Sequence, residues 1–101
     1  MSHERLVGLN VIDERLYQHY RKAMKPILSA HGGRFGYDFK VSEVLLSEES
    51  SEINRVFTLN FPDRGMMEAF FSNPDYLAVR EKYFEPSVGA ATIISTYEKD
   101  T

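Results

Sequence analysis

Residues 30–35 have the sequence Ala30-His31-Gly32-Gly33-Arg34-Phe35, and this stretch joins a helix to a strand. The 3.6-residue spacing of apolar side chains ends at Ala30, and a two-residue alternation begins at Arg34. Gly32 is predicted to adopt the left-handed conformation that terminates the helix. The junction therefore fixes the order helix then strand, and it places His31 where the two elements meet.

The segment before this junction is predicted to be an amphipathic helix. Asp13 is its expected N-cap, with Glu14 in the first turn, where a negative charge is favourable. Pro26 predicts a bend, but it lies on the polar side of the helix and leaves the apolar stripe intact. The apolar stripe consists of Leu16, Tyr17, Tyr20, Ala23, Met24, Ile27 and Leu28.

The segment after the junction alternates between apolar and polar residues as strands do. The alternation changes parity after Glu43, which predicts a β-bulge near Ser42–Glu43. A polar turn at Ser47–Glu52 leads into a second alternating strand, Ile53–Phe61. The large side chains expected to pack under the helices are Phe35, Tyr37, Phe39, Phe57, Leu59 and Phe61.

The outer parts of the chain complete the pattern. Arg5–Ile12 is apolar on both faces, which is typical of a central strand. Asp63 and then Asn73-Pro74-Asp75 carry cap signals for two helical segments, which end at Glu85-Pro86-Ser87. Val88–Tyr97 is the predicted last strand, and Glu98–Thr101 is a polar tail.

Two β-α-β halves in about 100 residues predict an α+β, ferredoxin-like fold, in which helices cover one face of a four-stranded antiparallel sheet. The chain, residues 1–101, is expected to be a single domain. The uncovered sheet face is mixed in character. Pairing with a twofold mate would cover this face and close a dimeric α/β barrel.

Composition excludes several function classes. The net charge is −3 and no basic stripe is present, so nucleic acid is not expected as a partner. No apolar run approaches the ~20 residues that span a bilayer, and the N-terminus lacks a signal-peptide pattern. The lack of cysteine fits a cytoplasmic protein. The 43% hydrophobic and 13% aromatic content is high for a small monomer and favours a homodimer.

Several motifs resemble a known family. The run Tyr17-x-x-Tyr20, Pro26 and His31-Gly32-Gly33-Arg34-Phe35 is similar to members of the family called domain of unknown function 1330, and the similarity extends over nearly the whole chain. The same family also resembles a second part of the chain, which consists of Phe61-Pro62 followed by Phe70-Phe71-Ser72-Asn73-Pro74-Asp75-Tyr76 and Arg80. The resemblance implies a homodimer of the dimeric α/β-barrel superfamily with a pocket between sheet and helices. It implies no particular reaction.

His31 is the candidate catalytic residue. It falls within the apolar arc at the helix end, where burial favours the neutral ring and the helix C-terminus favours the charged one. A histidine between these influences can act as an acid or base near neutral pH. The alternative is a helix cap that bonds a carbonyl of the last turn and packs against Tyr17 or Tyr20.

Arginines and tyrosines are the candidate ligand contacts. A guanidinium can hold a carboxylate or enolate through two hydrogen bonds, whereas the alternatives are an ion pair with Asp38, Glu43 or Glu81, or a rim position. The tyrosines supply rings with a hydroxyl, but such residues also form ordinary cores. The candidates are Arg34, Arg55, Arg80, Tyr17, Tyr20 and Tyr76.

No cofactor is expected. The three histidines lack metal-ligand spacing and no cysteine is present, so no metal site is predicted. Asn10 could mimic an asparagine of haem-degrading relatives, but their tryptophan has no counterpart. One hypothesis is therefore a small-molecule-binding homodimer, with cofactor-free acid/base chemistry of an isomerase- or monooxygenase-like kind on a small acidic or aromatic compound. The other is a non-catalytic binding or interaction protein.

Overall fold

Two β-α-β halves follow one another in the computed structural model of the protein, which describes residues 1–100. The first half consists of β1 (Ser2–Val11), α1 (Glu14–Ala30) and β2 (Arg34–Lys40). The second half consists of β3 (Arg55–Phe61), α2 (Arg64–Ser72), α3 (Pro74–Val79), a π-helical turn (Arg80–Phe84), α4 (Glu85–Ser87) and β4 (Val88–Lys99). Residue Thr101 of the predicted polar tail lies outside the described residues.

The four strands form one sheet in the order β2-β3-β1-β4, and each neighbouring pair is antiparallel. The predicted α+β, ferredoxin-like fold is confirmed. The Cα positions extend over 32 × 31 × 17 Å, which is two layers thick. Helices therefore cover one face of the sheet, here called the helix side, and the other is called the open face.

Local signals determine where the helices begin and end. The side chain of Asp13 accepts a hydrogen bond from the Leu16 amide at 3.0 Å, and Asp63 accepts one from the Met66 amide at 2.8 Å. Gly32 has a φ of +71°, and its amide donates to the Ser29 carbonyl at 2.9 Å. The predicted caps and helix stop are confirmed, because each depends on residues within one turn of the chain.

The core lies between the helices and the helix side of the sheet. The strongest contribution comes from the predicted stripe of α1, which buries two tyrosines, one methionine and one leucine. The buried hydrophobic residues are Val7, Leu9, Tyr17, Tyr20, Met24, Leu28, Phe57, Leu59, Phe61, Met67, Phe70 and Tyr76. This cluster joins β1 and β3 of the sheet to α1, α2 and α3.

The bulge in β2 is not at Ser42–Glu43, where the sequence predicts it. The pairing of β2 with β3 shifts between Phe35 and Asp38 instead. The Tyr37 amide there leaves the regular ladder and donates to the Thr58 hydroxyl at 2.9 Å. One extra residue reverses the direction of every side chain beyond it.

The shift places Tyr37 and Phe39 on the open face, with 59% and 56% of their surfaces exposed. Their predicted burial under the helices is wrong. Asp38, predicted for the opposite face, instead pairs with Arg21 of α1 at 3.1 Å. Phe35, which precedes the bulge, packs against the core as predicted.

Strand boundaries also differ from the prediction. β2 ends at Lys40, and residues 41–54 form a connection without regular strand structure. β3 begins at Arg55, and the side chain of the preceding Asn54 accepts from the Val11 amide and donates to the Val11 carbonyl. The last strand extends to Lys99 because it pairs with β1 as far as Ser2.

Candidate functional site

A cavity of about 260 Å³ lies between the sheet and the helices. Three strands (β1, β3 and β4) and the helical segments α1, α2, α3 and the π-helical turn contribute to its wall. Most of the wall is apolar or aromatic. Its lining residues are Arg5, Val7, Leu9, Tyr20, Phe57, Leu59, Phe71, Tyr76, Arg80, Phe84, Ala91 and Ile93. Apolar cavities with a few convergent polar groups are the usual form of small-molecule sites, so this cavity is the candidate site.

Arg5 is the most unusual residue of the cavity wall. β1 alternates so that Arg5 shares the helix side with Val7 and Leu9. Its guanidinium carbon lies 4.4 Å from the centre of the Phe71 ring, and its Nε atom is buried without a hydrogen-bond partner among residues 1–100. Burial lowers the pKa of Arg5, and the nearby Tyr76 partly opposes this change. The arginine stays charged at neutral pH, because guanidinium pKa values are far higher.

Tyr20 of α1 and Tyr76 of α3 join at the wall of the cavity. Their hydroxyl oxygens are 2.9 Å apart, and both side chains are buried. Burial is the main cause that raises the pKa of each phenol, so both are neutral at physiological pH. Since only one hydroxyl donates to the other, the pair retains one O–H that can donate to a third group.

Arg80 lies at the exposed rim, at the start of the π-helical turn. The Glu85 amide donates to the Arg80 carbonyl across this widened turn. The guanidinium carbon of Arg80 lies 5.6 Å from the centre of the Phe84 ring, and both residues line the cavity. Such turns within helices are frequent at functional sites. Among residues 1–100, neither Arg5 nor Arg80 forms an ion pair with a carboxylate.

Arg55 lies outside this cavity, in a separate ion cluster at the start of α1. Its Nε donates to Asp38 at 3.1 Å and its Nη1 donates to Glu14 at 2.9 Å. Burial would lower the pKa of Arg55, but these two carboxylates raise it overall. Tyr17 belongs to the same cluster, because the Arg55 guanidinium lies 5.1 Å from its ring centre. The ion-pair alternative expected from the sequence describes this arginine.

His31 caps the C-terminal end of α1. Its Nδ1 atom lies 2.8 Å from the Ile27 carbonyl oxygen, and its ring meets Phe70 edge-on at 5.8 Å between centres. His31 does not line the cavity. Arg34 is exposed on β2 and does not line it either. The structure thus brings together Tyr20, Tyr76 and Arg80 from the predicted set and separates the other four.

Sequence reasoning missed Arg5 and the aromatic residues Phe71 and Phe84. A signal for Arg5 exists, because this charged residue begins the otherwise apolar stretch Arg5–Ile12, two positions before Val7. Arg5–Ile12 is apolar on both faces, however, so its sequence alone does not show which face the helices cover. The helix-side direction of Arg5 follows only from the pairing of β1 with β3, which puts Arg5 opposite the buried Leu59.

A second buried polar group lies on the open face. Glu4 is only 3% exposed, and its Oε1 accepts from the Asn60 amide at 3.1 Å. Tyr97 donates to its Oε2, and the Lys99 ammonium lies 3.7 Å from Oε1. Burial alone would raise the pKa of Glu4, but these hydrogen bonds and the positive charges of Lys99 and Arg34 hold it below its ordinary value. This acid is therefore a charged group in the structure at neutral pH.

Solved structures with the same fold share little sequence with the chain. A protein of unknown function from Rhodopseudomonas palustris has a TM-score of 0.82 at 14% identity, over 99% of this chain and 83% of that one. A dabb family protein with a ferredoxin-like fold from Mesorhizobium loti has 0.71 at 17%, over 99% and 98%. A dimeric protein of unknown function with a ferredoxin-like fold from Bacteroides fragilis has 0.63 at 11%, over 97% and 96%. These similarities establish the fold.

The remaining comparisons concern sequence and membrane segments. No curated protein sequence matches the chain. Within residues 1–100, no helix combines the length and apolar character needed to cross a membrane. The family model described as domain of unknown function (DUF1330) matches residues 6–97, which include all but the ends of the chain. The protein therefore belongs to this family of unknown function.

Proposed function

We propose that the protein is a homodimer that binds a small acidic or aromatic compound in the cavity between its sheet and helices. The observation that carries this proposal is Arg5, whose buried Nε has no partner among residues 1–100. A buried donor without an acceptor costs free energy, and a ligand oxygen would remove that cost. The aromatic rings around the guanidinium support a compound with an apolar body.

Binding without catalysis by His31 is the function that we favour. The Nδ1 atom of the imidazole is hydrogen-bonded to the Ile27 carbonyl, and His31 lies outside the cavity lining. The lining contains Tyr20 and Tyr76 but no imidazole or carboxylate, and burial raises the pKa of both phenols. A general base near neutral pH is thus not among the lining residues. The isomerase- or monooxygenase-like activity stays a prediction, as do ligand roles for Arg34, Arg55 and Tyr17.

The dimer is supported by two observations. Solved structures of the same fold from Bacteroides fragilis and Thermobifida fusca are described as dimeric. The open face of this chain carries large exposed apolar side chains, including Tyr37, Phe39 and Ile94. Pairing two open faces would cover these side chains and leave the cavity of each copy accessible. The single-domain organisation and the cytoplasmic location stay predictions.

Nuclear magnetic resonance of ¹⁵N-labelled protein tests the proposed site. Benzoate, hexanoate and benzyl alcohol are titrated separately, and the amide shifts of Leu9, Leu59 and Ala91 are followed. We expect at least one compound to shift these amides with saturation, while the Ser47–Glu52 turn stays unchanged. Replacing Ala91 by Phe or Leu extends a side chain into the cavity and is expected to abolish the shifts.

Ala78→Phe is the matched control, because Ala78 is exposed on α3 and does not line the cavity. This variant should bind like the unchanged protein. Shifts that persist in a folded Ala91→Leu variant would place the compound elsewhere and refute the site. His31→Gln, measured in the same titration, should leave binding intact if the histidine is only a helix cap.

A further inference from the structure

We propose that the ligand of this cavity is a monocarboxylate with a single aromatic ring, with its carboxylate against Arg5 and Arg80 and its ring among the aromatic side chains. This inference rests on the proposed function and specifies the class of ligand. The proposed function allows a compound that is either acidic or aromatic, whereas this inference requires that one molecule has both a negative charge and an aromatic ring. Three properties of the lining lead to it: its charge, its hydrogen-bond donors and its volume.

The charge of the lining selects an anion. It contains two guanidiniums and no carboxylate, and neither Arg5 nor Arg80 is paired with an acid among residues 1–100. A planar guanidinium matches the two oxygens of a carboxylate better than it matches a neutral group. The Phe71 ring beside the partly buried guanidinium of Arg5 lowers the local polarity and makes an ionic contact there stronger than in water.

The donors of the lining select a group that accepts hydrogen bonds. The Nε of Arg5 has no acceptor, and the Tyr20–Tyr76 pair has one O–H left after its internal bond. Both phenols keep their protons, because burial raises the pKa of each. Two oxygens of one carboxylate can satisfy these donors, whereas a cationic or donor-rich ligand would leave them unpaired.

The remaining wall accepts one apolar ring and no second charge. A cavity of about 150 Å³ is large enough for benzene, and this one is about 260 Å³, which adds room for a carboxylate. Val7, Leu9, Leu59 and Ile93 provide no polar side-chain group. A second carboxylate would lie against these side chains without a partner, and burying such a charge is very unfavourable. The class is therefore a monoanion.

The test compares benzoate with benzamide by calorimetric titration at fixed ionic strength. Benzamide keeps the ring and the shape but has no charge. We expect benzoate to bind at least 10-fold more tightly. Arg5→Gln should weaken benzoate binding about 10- to 100-fold and leave benzamide binding within about 3-fold, because it removes an ion pair that only benzoate makes, whereas the glutamine amide can still donate to the benzamide oxygen. Cyclohexanecarboxylate, which lacks the aromatic ring, should bind more weakly than benzoate.

Arg80→Gln provides a second variant, because Arg80 is at the exposed rim and its replacement does not disturb the core. It should reduce the preference for benzoate over benzamide in the same direction. Arg64→Gln is the matched control, because Arg64 is exposed and paired with Glu68 on α2, away from the cavity. This variant should retain the affinity of the unchanged protein for both compounds.

The outcomes separate this inference from the function on which it rests. Equal affinity for benzoate and benzamide, with no effect of Arg5→Gln or Arg80→Gln, would overturn the anionic class while cavity binding stands. Tighter binding of cyclohexanecarboxylate than of benzoate would overturn the aromatic class. If no tested compound shifts the cavity amides, both the proposed function and this inference fail.

Discussion

Arg55 shows how the surroundings of one side chain decide its role. It is buried on β3 at a position where the alternation of the strand otherwise carries Phe57 and Leu59. Asp38 and Glu14 neutralise it, and Asp38 also binds Arg21. Because two carboxylates, Glu14 and Asp38, would lose the same cationic partner, Arg55→Gln should lower the free energy of unfolding by about 1–3 kcal/mol. Urea denaturation measures this change.

Lys40→Gln is the control for Arg55, because Lys40 is exposed and its ammonium lies 3.9 Å from Glu14. Its replacement should change stability by less than about 0.5 kcal/mol. Ligand binding to the cavity should be the same in both variants. A folded Arg55→Gln protein of unchanged stability that has lost benzoate binding would instead assign Arg55 to the ligand site, as the sequence analysis proposed.

Glu4 predicts a specific response to acid. Burial alone would raise its pKa. Hydrogen bonds from Tyr97 and Asn60 and the charges of Lys99 and Arg34 outweigh burial and hold the pKa below its ordinary value. A carboxyl whose pKa is lowered on folding stabilises the protein above its unfolded pKa of about 4.3, and this contribution is lost as the pH falls through the folded pKa. Glu4→Gln should therefore be about 1–2 kcal/mol less stable at pH 6.5 and lose less stability on acidification.

Urea midpoints at pH 6.5 and pH 3.5 measure this difference. Asp38 and Glu14 also have lowered pKa values, so the variant retains part of the acid sensitivity. Glu81→Gln is the control, because Glu81 is exposed on the π-helical turn and forms no ion pair among residues 1–100. Equal acid-induced losses in the Glu4 variant and the unchanged protein would contradict the prediction.

At the scale of elements, the β2 bulge decides which side chains reach the helix side. An added Cβ at Gly36 would lie 2.6 Å from the Thr58 hydroxyl oxygen, closer than any ordinary contact. Gly36→Ala should therefore destabilise the protein by about 1–3 kcal/mol, through overpacking or loss of the Tyr37–Thr58 bond. The effect should be smaller when Thr58 is already Ala, because the clashing oxygen is then absent.

Denaturation of the two single variants and the double variant gives this coupling directly. Gly65→Ala in α2 is the control, since alanine is favoured over glycine within a helix and this site has no contact shorter than 3.3 Å. That variant should keep or gain stability. Fully additive effects of Gly36→Ala and Thr58→Ala would show that the contact does not constrain the bulge.

The same bulge shows where prediction from sequence stops. Caps at Asp13, Asp63 and Gly32 were predictable because each involves atoms within a few residues. The bulge depends on Thr58, which is 21 residues from Tyr37, and no local pattern reveals that partner. The unbroken alternation of Phe35, Tyr37 and Phe39 in β2 therefore predicted the wrong face for the two aromatic residues beyond the bulge.

The candidate site also combines features that the local sequence predicts with contacts between residues far apart in the chain. Tyr20 and Tyr76 were identified as candidates because each lies on the apolar face of a helix. Their direct bond joins residues 56 apart, and it is a property of how α1 and α3 pack. Arg5 was not identified as a candidate, because the direction of its side chain depends on strand pairing. Arg55 was a candidate ligand contact, but the bulge turns Asp38 toward it and the two side chains form an ion pair.

At the scale of the whole molecule, the 41–54 connection and the open face form an exposed apolar hollow. Leu45 and Leu46 of the 41–54 connection are 88% and 92% exposed. The same connection and neighbouring parts of β3 and β4 enclose a hollow of about 650 Å³, whose apolar lining includes Ile53, Val56 and Ile94. A twofold dimer uses the same surface patch of both copies, and pairing two of these hollows would cover Leu45 and Leu46, which line them.

Replacing both Leu45 and Leu46 by Ser should therefore weaken the proposed homodimer without unfolding the protomer, because both side chains are exposed in the single chain. Removing two buried leucines from an interface should raise the dissociation constant more than 10-fold. Sedimentation velocity over a range of protein concentrations measures this constant, and circular dichroism verifies the fold. Leu77→Ser is the matched control, because Leu77 is an exposed leucine on α3, on the opposite side of the sheet. Dimers of unchanged affinity in the double variant, or dissociation of the Leu77 variant, would show that the open face is not the contact between copies.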